Sequence, residues 1–183
     1  MKKLSILILT TLTCLPTAIQ AAEGMGSFYT NVGATLVTHN SNNESAYFIE
    51  VGHTQKLSKF LSADVSYKKV ETFKSSVSAN SDEFAQAYDA YALGLRVDQQ
   101  VGYLSLFGAA GASYITSETT TWDTDSGAEK VDNDDALKPY ASAGVSLATP
   151  YDRRLTLDMA INYQMLPNDE YATSLSAGVN FAL

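Results

Sequence analysis

Five charged residues interrupt otherwise apolar or small-residue stretches of this 183-residue sequence: Glu50, Asp64, Lys68, Arg96 and Asp158. Acids and bases distributed in this way could form ion pairs that line a selective pore or plug it. Which of these they do depends on whether one interior collects them. Unpaired charges in a low-dielectric interior are expensive, so we expect charges that share an interior to pair.

A second group is the acidic stretch ETTTWDTDSGAEKVDNDD at 118–135, which holds seven acids and one lysine. Trp122, the only tryptophan, stands beside Asp123 and Asp125. A large aromatic residue in water-facing sequence is typical of a contact with a partner, since interface hot spots favour Trp. The alternative is that Trp122 turns back to a membrane interface as an anchor.

The same stretch contains DTDSG, which is faintly like a calcium loop. An EF-hand loop needs Asp or Asn at its fifth position, Gly at its sixth and Glu at its twelfth. Counted from Asp123, this sequence has Gly127, Ala128 and Asp134 at those positions. The pattern therefore leaves two interpretations, a weak surface for divalent cations and a solvated acidic loop.

The elements that position these residues are strands. In LTLDMAINYQM at 155–165 every odd position is apolar, and the positions between are small or polar. This period of two predicts a β-strand with two different faces. The same test finds eight such segments: 26–38, 46–56, 61–71, 87–98, 103–116, 137–148, 154–166 and 171–183.

The segments alternate between short and long connections. Short ones are predicted near 57–60, 99–102 and 149–153, and longer polar ones near 39–45, 72–86 and 117–136, with a shorter one at 167–170. Tight turns on one side and loops on the other are what an eight-stranded antiparallel up-and-down barrel needs. Both ends of the domain then lie on the tight-turn side.

Each strand has one face of large apolar residues and one of small and charged residues. Small and charged residues fit a narrow barrel interior, whereas large apolar residues fit lipid. The fold class is therefore all-β, an eight-stranded antiparallel transmembrane barrel. Aromatic residues near strand ends are expected to form two girdles: Phe28, Tyr47, Tyr67, Tyr91, Tyr114, Tyr163 and Phe181.

Glycines recur on the small-residue face, in segments such as SAGVNF and SAGVSL. Six of the eleven glycines have this setting: Gly33, Gly52, Gly94, Gly111, Gly144 and Gly178. Glycine weakens a strand unless something crowds it, so the repetition indicates an interior too narrow for larger side chains. The alternative is ordinary β-structure with glycine at bulges.

The five charged residues fall on the interior face. Glu50 and Lys68 lie symmetrically about the turn at 57–60, so they should be cross-strand neighbours. Asp64 and Arg96 should lie low in the barrel on adjacent strands, with Asp158 within reach across it. Eight strands leave an interior just filled by side chains, which favours a structural network of ion pairs over a gated pore.

Residues 1–21 predict a cleaved secretory signal, with Lys2 and Lys3 ahead of an apolar run and small residues near Ala21. The barrel domain is then 22–183, and Cys14, the only cysteine, is removed with the signal. Removing the signal leaves 10 Lys and Arg against 20 Asp and Glu. This acidic balance argues against a nucleic-acid partner. No phosphate-binding loop, metal cluster or cofactor motif is present in the sequence, so we expect no cofactor.

The signal, the alternating strands, the order of turns and loops and the C-terminal strand together resemble the small bacterial outer-membrane barrels. These are the OmpX type, the membrane domain of OmpA and the porin family of such barrels. The resemblance implies location in the outer membrane of a Gram-negative bacterium. It also implies contact with membrane lipid, lipopolysaccharide and the insertion machinery. Members usually end in Phe, whereas here Leu183 is last and Phe181 is third from the end.

The segment HNSNNE at 39–44 is similar to the His-x-Ser-Asn motif of the lipid A deacylases, which are also eight-stranded outer-membrane barrels. Carried over, His39 would be the base, Ser41 the nucleophile and Glu44 the group that orients the base. In that family the motif lies late in the chain on a lipid-facing strand, whereas here it follows the first strand. The other interpretation is a polar loop.

Three functions follow, in order of preference. The first is a non-enzymatic protein that presents loops for adhesion to a host or cell-surface partner, or for envelope integrity. The second is a small-solute channel of the porin kind. The third is a lipid A-modifying enzyme.

Overall fold

The structure, a computed structural model, describes residues 26–39, 42–73, 84–123, 128–149 and 154–183. The predicted signal, 1–21, lies outside them, and its cleavage stays a prediction. The described chain forms eight strands and one short 3-10 helix. In order they are β1 (Ser27–His39), β2 (Asn42–Lys56), β3 (Leu61–Thr72), β4 (Phe84–Val101), β5 (Leu104–Asp123), β6 (Ala128–Ala148), β7 (Leu155–Met165), the 3-10 helix Pro167–Asp169 and β8 (Tyr171–Ala182). None of these residues forms a helix long and apolar enough to cross a membrane.

Every strand pairs antiparallel with its neighbours in the sequence, and β8 pairs with β1 to close the barrel. The closing ladder runs from Ser27 opposite Ala182 to Thr38 opposite Tyr171. Beyond it the Leu183 backbone N–H donates to the Gly26 carbonyl at 2.9 Å. Closure leaves no free edge along this seam, because β8 pairs with β7 on one side and with β1 on the other. The predicted all-antiparallel up-and-down barrel of eight strands is confirmed.

Three short connections share one end of the barrel, here named the tight-turn end. They are 57–60, 102–103 and 149–154. In the second, Val101 and Leu104 are paired across a two-residue turn in which Gly102 has a φ of 67°. Glycine adopts this left-handed conformation without steric cost, which makes it suited to the tightest hairpin turns. The opposite end, here the loop end, carries the other four connections.

At the loop end the strands are longer than predicted. The expected loop 39–45 is mostly strand, because β1 continues to His39 and β2 begins at Asn42. The expected loop 117–136 is wrong in the same way, since β5 and β6 stay paired as far as Asp123 opposite Ala128. The expected loop 72–86 also loses its last residues to β4. The prediction ended each strand where alternation stopped, but strands that meet water on both faces do not need to alternate.

Outward and inward side chains follow the predicted period of two. Large apolar residues point out, among them Leu93 and Ile161, each 61% exposed. The interior glycines are crowded as predicted: a Cβ at Gly94 would lie 2.3 Å from the Tyr140 hydroxyl, and one at Gly111 would lie 2.8 Å from the same ring. Gly94 and Gly111 are cross-strand partners, and both leave room for the side chain of Tyr140.

The loop half of the interior holds a tightly packed apolar cluster that the sequence did not predict. Its members come from six strands and from the β7–β8 connection: Val37, Ala46, Phe48, Val70, Phe84, Tyr88, Ala90, Ile115, Leu166 and Ala172. All of them are at most 2% exposed. The lumen therefore has an apolar loop half and a polar remainder.

Candidate functional site

The interior charges occupy the middle of the barrel. Glu50 and Lys68 are direct cross-strand partners, as the symmetry about the turn predicts. Glu50 accepts a hydrogen bond from Asn31 Nδ2 at 2.9 Å, while Lys68 Nζ donates to Ser174 Oγ at 3.1 Å. Lys68 Nζ also lies 4.1 Å from the centre of the Phe48 ring. The expected ion pair between Glu50 and Lys68 is not formed within 4.0 Å among the described residues, because each side chain has a polar partner nearer its own position.

Arg96 is the most connected charge of the interior. Its Nε lies 2.9 Å from Asp98 Oδ1, and its Nη1 lies 3.9 Å from Asp158 Oδ2. Its guanidinium carbon is 3.8 Å from the centre of the Phe107 ring, where the cation contacts the ring's negative face. Asp158 is thus brought to Arg96 across the lumen, as expected.

Asp64 has a different partner from the one expected. It accepts a hydrogen bond from the Tyr29 hydroxyl at 3.2 Å, and in the described structure it forms no ion pair with Arg96 within 4.0 Å. The closer partner of Arg96 is Asp98, which sequence reasoning missed. The signal was available, because residues 96 and 98 share the inward face of one strand.

Two cavities flank these charges. A small one of about 30 Å³ lies between Glu50, Arg96 and Asp158, which is enough for about one water molecule. A much larger one of about 1210 Å³ opens at the tight-turn end, and Arg96 lines both. The larger one is here named the tight-turn cavity.

His39 lies at the loop end and contacts the carboxylate of Glu170 through Nδ1. Gln86 Nε2 donates to the other oxygen of Glu170 at 3.2 Å, and the Phe84 ring lies 5.0 Å from the His39 ring. His39 follows Val37 on the inward face of β1. Ser41 lies outside the described residues, so the proposed nucleophile has no position. The carboxylate beside His39 is that of Glu170, which directly precedes β8, the strand that pairs with β1.

The acidic stretch forms the outer part of the β5–β6 hairpin. Trp122 lies in β5 opposite Glu129 and is partly buried. Asp123 is the last residue of β5, and Asp125 lies outside the described residues. No group of three or more acidic, His or Cys side chains within the described ranges could hold a metal ion.

This hairpin has one unpaired edge. β5 is paired with β4 as far as Thr121 opposite Phe84, but β6 pairs with β7 only from Tyr140 to Ala148. Residues 128–138 of β6, here the β6 edge, have β5 on one side and no paired strand on the other among the described residues. An open edge presents backbone N–H and C=O groups to any chain that can pair with them.

The backbone groups of the β6 edge point alternately toward β5 and away from it. The carbonyls of Asp134 and Lys138 accept hydrogen bonds from β5 side chains, whereas the Pro139 carbonyl accepts from Gln164 of β7. Backbone groups alternate in direction along an antiparallel strand. Odd-numbered residues of the β6 edge therefore direct their N–H and C=O groups away from β5, to the side on which no described strand pairs with them.

The outward surface has aromatic residues at two levels. Phe28 and Phe181 are cross-strand partners near the tight-turn end. Toward the loop end Tyr67 and Tyr91 are paired, and Tyr163 stacks on Tyr171 with ring centres 5.8 Å apart. From Tyr171 to Phe181 the strand runs about 33 Å, which a tilt of about 40° converts to a height of about 25 Å, the height of the apolar band of membrane barrels.

Comparison with known proteins identifies the fold. No family model matches the chain, and no curated protein is significantly similar to it in sequence. Solved structures do match: Neisserial surface protein A has a TM-score of 0.68 at 13% identity, covering 86% of this chain and 97% of that one. The fold is that of the small outer-membrane β-barrels.

Two further structures agree. Ail, the attachment invasion locus protein of Yersinia pestis, solved with the heparin analogue sucrose octasulfate, has a TM-score of 0.59 at 16% identity, covering 88% of this chain and 99% of Ail. The N-terminal barrel of Pseudomonas aeruginosa OprF has a TM-score of 0.54 at 14% identity, covering 87% and 100%. At these identities the likeness concerns the fold, which agrees with the resemblance to OmpX and OmpA inferred from the sequence.

Proposed function

We propose that this protein is a non-enzymatic outer-membrane barrel that uses the β6 edge to bind an extended, basic segment of a partner at the cell surface. The observation that carries the proposal is the open edge itself, which extends beyond the barrel on an acidic hairpin. Binding would add the partner as one more strand, so that backbone hydrogen bonds supply affinity and side chains supply specificity.

Location in the outer membrane rests on the outward surface. A belt of large apolar side chains between two aromatic levels would be far larger than the apolar patches that soluble monomers expose. In lipid the same belt is favourable, and a closed barrel leaves no backbone group unpaired there. Lipid and lipopolysaccharide are then the neighbours of this belt. Periplasmic turns of such barrels are short and extracellular loops long, which directs the hairpin outward.

The partner's charge follows from the hairpin. Asp132, Asp134 and Asp135 lie on or beside the β6 edge, and Lys130 forms an ion pair with Asp132 at 2.8 Å. Acids thus outnumber bases along the edge, so a basic strand is complementary and an anionic one is repelled. Ail was solved with a polyanion, and on this proposal the present hairpin would not bind such a ligand.

The lumen does not conduct in this proposal. The apolar cluster fills its loop half, and the hydrogen-bonded charges fill its middle. In planar bilayers we therefore expect little steady conductance from the folded monomer. A large, reproducible single-channel step would instead favour the small-solute channel.

A matched pair of variants at Asn133 tests the edge. Asn133 is exposed on the outward face, and its N–H is directed away from β5, so Asn133→Pro removes an edge donor without breaking the β5–β6 ladder. Asn133→Ala removes the same side chain and keeps the N–H. The readout is the fluorescence anisotropy of a labelled peptide that alternates Lys with Thr, measured with the folded barrel in detergent micelles.

We expect the peptide to bind wild type and Asn133→Ala alike and to bind Asn133→Pro at least about fivefold more weakly, the effect of about one hydrogen bond. Equal binding by the wild type and both variants would mean that charge alone attracts the peptide, and the edge proposal would fail. A heat-modifiability gel confirms that each variant is folded, because a folded barrel changes its migration only after boiling.

A further inference from the structure

The tight-turn cavity is a wide recess of about 1210 Å³. It is open to solvent, and it lies at the end of the barrel opposite the β6 edge. Hydroxyl and amide side chains form part of its wall, among them Ser27, Thr54, Ser62, Thr156 and Asn180. These groups can form many hydrogen bonds, which suits a polar ligand rich in oxygen atoms.

The cavity is also basic in an acidic protein. Four cationic side chains line it: Lys56, Lys59, Arg96 and Arg154. Among the described residues that line it, the one acidic side chain is Asp98, which pairs with Arg96. The chain as a whole has a net charge of −8. The described residues thus place four basic side chains around one open end of the barrel.

Two of these cations are available for a ligand. Lys56 and Lys59 are exposed, and neither forms an ion pair with any residue that the structure describes. Like charges gathered around a concave wall repel one another, and they focus a positive potential into the space between them. An anion placed in that space relieves the repulsion and gains hydrogen bonds from the wall.

We propose that the tight-turn cavity binds a hydroxyl-rich polyanion, a saccharide-like molecule that bears phosphate or carboxylate groups. The volume of about 1210 Å³ exceeds the roughly 300–1,000 Å³ of typical small-molecule sites, so the cavity has room for an oligomeric ligand. With the hairpin outside the cell, the cavity faces the periplasm, where an anionic glycan of the envelope would meet it. The binding chemistry itself does not depend on that orientation.

Titration calorimetry on the folded barrel in detergent micelles tests the proposal with three probes. Inositol hexakisphosphate supplies phosphates, trigalacturonate supplies carboxylates on sugars, and maltotriose is an uncharged sugar control. We expect one or both anions to bind, more weakly as salt is raised because the Debye length shortens, and maltotriose not to bind. The anion that binds more tightly identifies the source of the charge.

The matched variants are Lys56→Glu/Lys59→Glu at the cavity and Lys130→Glu at the opposite end of the barrel. An exposed charge pair is worth up to about fivefold in affinity, so the double reversal should weaken anion binding at least about tenfold, and Lys130→Glu should leave it unchanged. Arg154→Gln, a milder change at the exposed rim, serves if the double variant does not fold. Absence of anion binding, equal binding of maltotriose, or binding insensitive to the cavity variants would overturn the proposal.

Discussion

The Tyr67 hydroxyl donates a hydrogen bond of 2.7 Å to Asp89 on the neighbouring strand. Both side chains point outward, and the same relationship recurs where Tyr47 donates to Glu71 and Tyr114 donates to Asp135. Asp89 and Asp135 lie one outward-facing position nearer the loop end than the residues opposite their tyrosines, and Glu71 lies directly opposite Tyr47. These pairs mark the level at which the lipid-facing surface of the proposed membrane barrel ends and the water-facing surface begins.

Tyr67→Phe should lower the free energy of unfolding by about 1 kcal/mol, because the ring stays in place while a hydrogen bond to a partly exposed carboxylate is lost. The measurement is the midpoint of urea unfolding in lipid vesicles. Tyr91→Phe is the control, since Tyr91 packs on Tyr67 with ring centres 5.1 Å apart and donates no hydrogen bond to the described residues. Equal shifts in both variants would contradict a role for the Tyr67–Asp89 bond.

Ile161→Arg should impair assembly, because an arginine near the bilayer midplane costs about 2–4 kcal/mol. Val131→Arg is matched to it: Val131 also faces outward and is 49% exposed, but it lies on the hairpin beyond the tyrosines. Its effect should stay within about 0.5 kcal/mol, as for an ordinary surface substitution. Normal membrane assembly of Ile161→Arg would mean that the apolar belt does not meet lipid.

Gly111→Val tests the crowded interior. A Cβ at this position would lie 2.2 Å from the Leu93 carbonyl oxygen, so the strands would have to separate, at a cost of about 1–3 kcal/mol or more. Gly108→Val is the control on the same strand, because the nearest atom to a Cβ there is 3.8 Å away. We expect a folded Gly108→Val and a poorly folded Gly111→Val on a heat-modifiability gel. If Gly111→Val folded and Gly108→Val did not, the assignment of Gly111 to the interior face and Gly108 to the outer face would be wrong.

His39→Ala should destabilise the barrel without removing an activity. It deprives Glu170, which is 8% exposed, of its His39 contact, and we expect a cost of about 1–3 kcal/mol in urea unfolding. His39→Asn, which keeps a donor, should recover part of the lost stability.

Incubation with lipid A should release no fatty acid from wild type or from Ser41→Ala. Ester cleavage by the wild type that His39→Ala or Ser41→Ala abolished would instead favour a lipid A-modifying enzyme.

The strand number, the closure and the two faces could all be predicted from the sequence, because lipid and a narrow lumen impose opposite demands on alternate residues. Residues 155–165 are the clearest case. The residues at which the strands stop near the loop end could not be predicted. The stretch from Ser117 to Asp123 has polar residues on both faces, so it gives no alternating signal. Its threonines and tryptophan favour strand conformation, but the clustered acids concealed this.

The contacts of the interior were only partly predictable. The register of Glu50 and Lys68 follows from the symmetry of a turn, yet their hydrogen-bond partners, Asn31 and Ser174, depend on side-chain reach within the closed barrel. The contact of His39 with Glu170 spans 131 positions of the chain, and it exists because β1 closes onto β8. No local spacing could indicate it.

Cysteine labelling of living cells tests the account most directly. The only cysteine, Cys14, lies in the predicted signal, so the parent protein serves as the blank for an impermeant maleimide. Val131→Cys on the hairpin should be labelled in intact cells, whereas Gln100→Cys at the tight-turn end should be labelled only after the outer membrane is permeabilised. Equal labelling of the two in intact cells, the reverse pattern, or recovery of the protein in the soluble fraction would contradict an outer-membrane barrel that presents its β5–β6 hairpin to the outside.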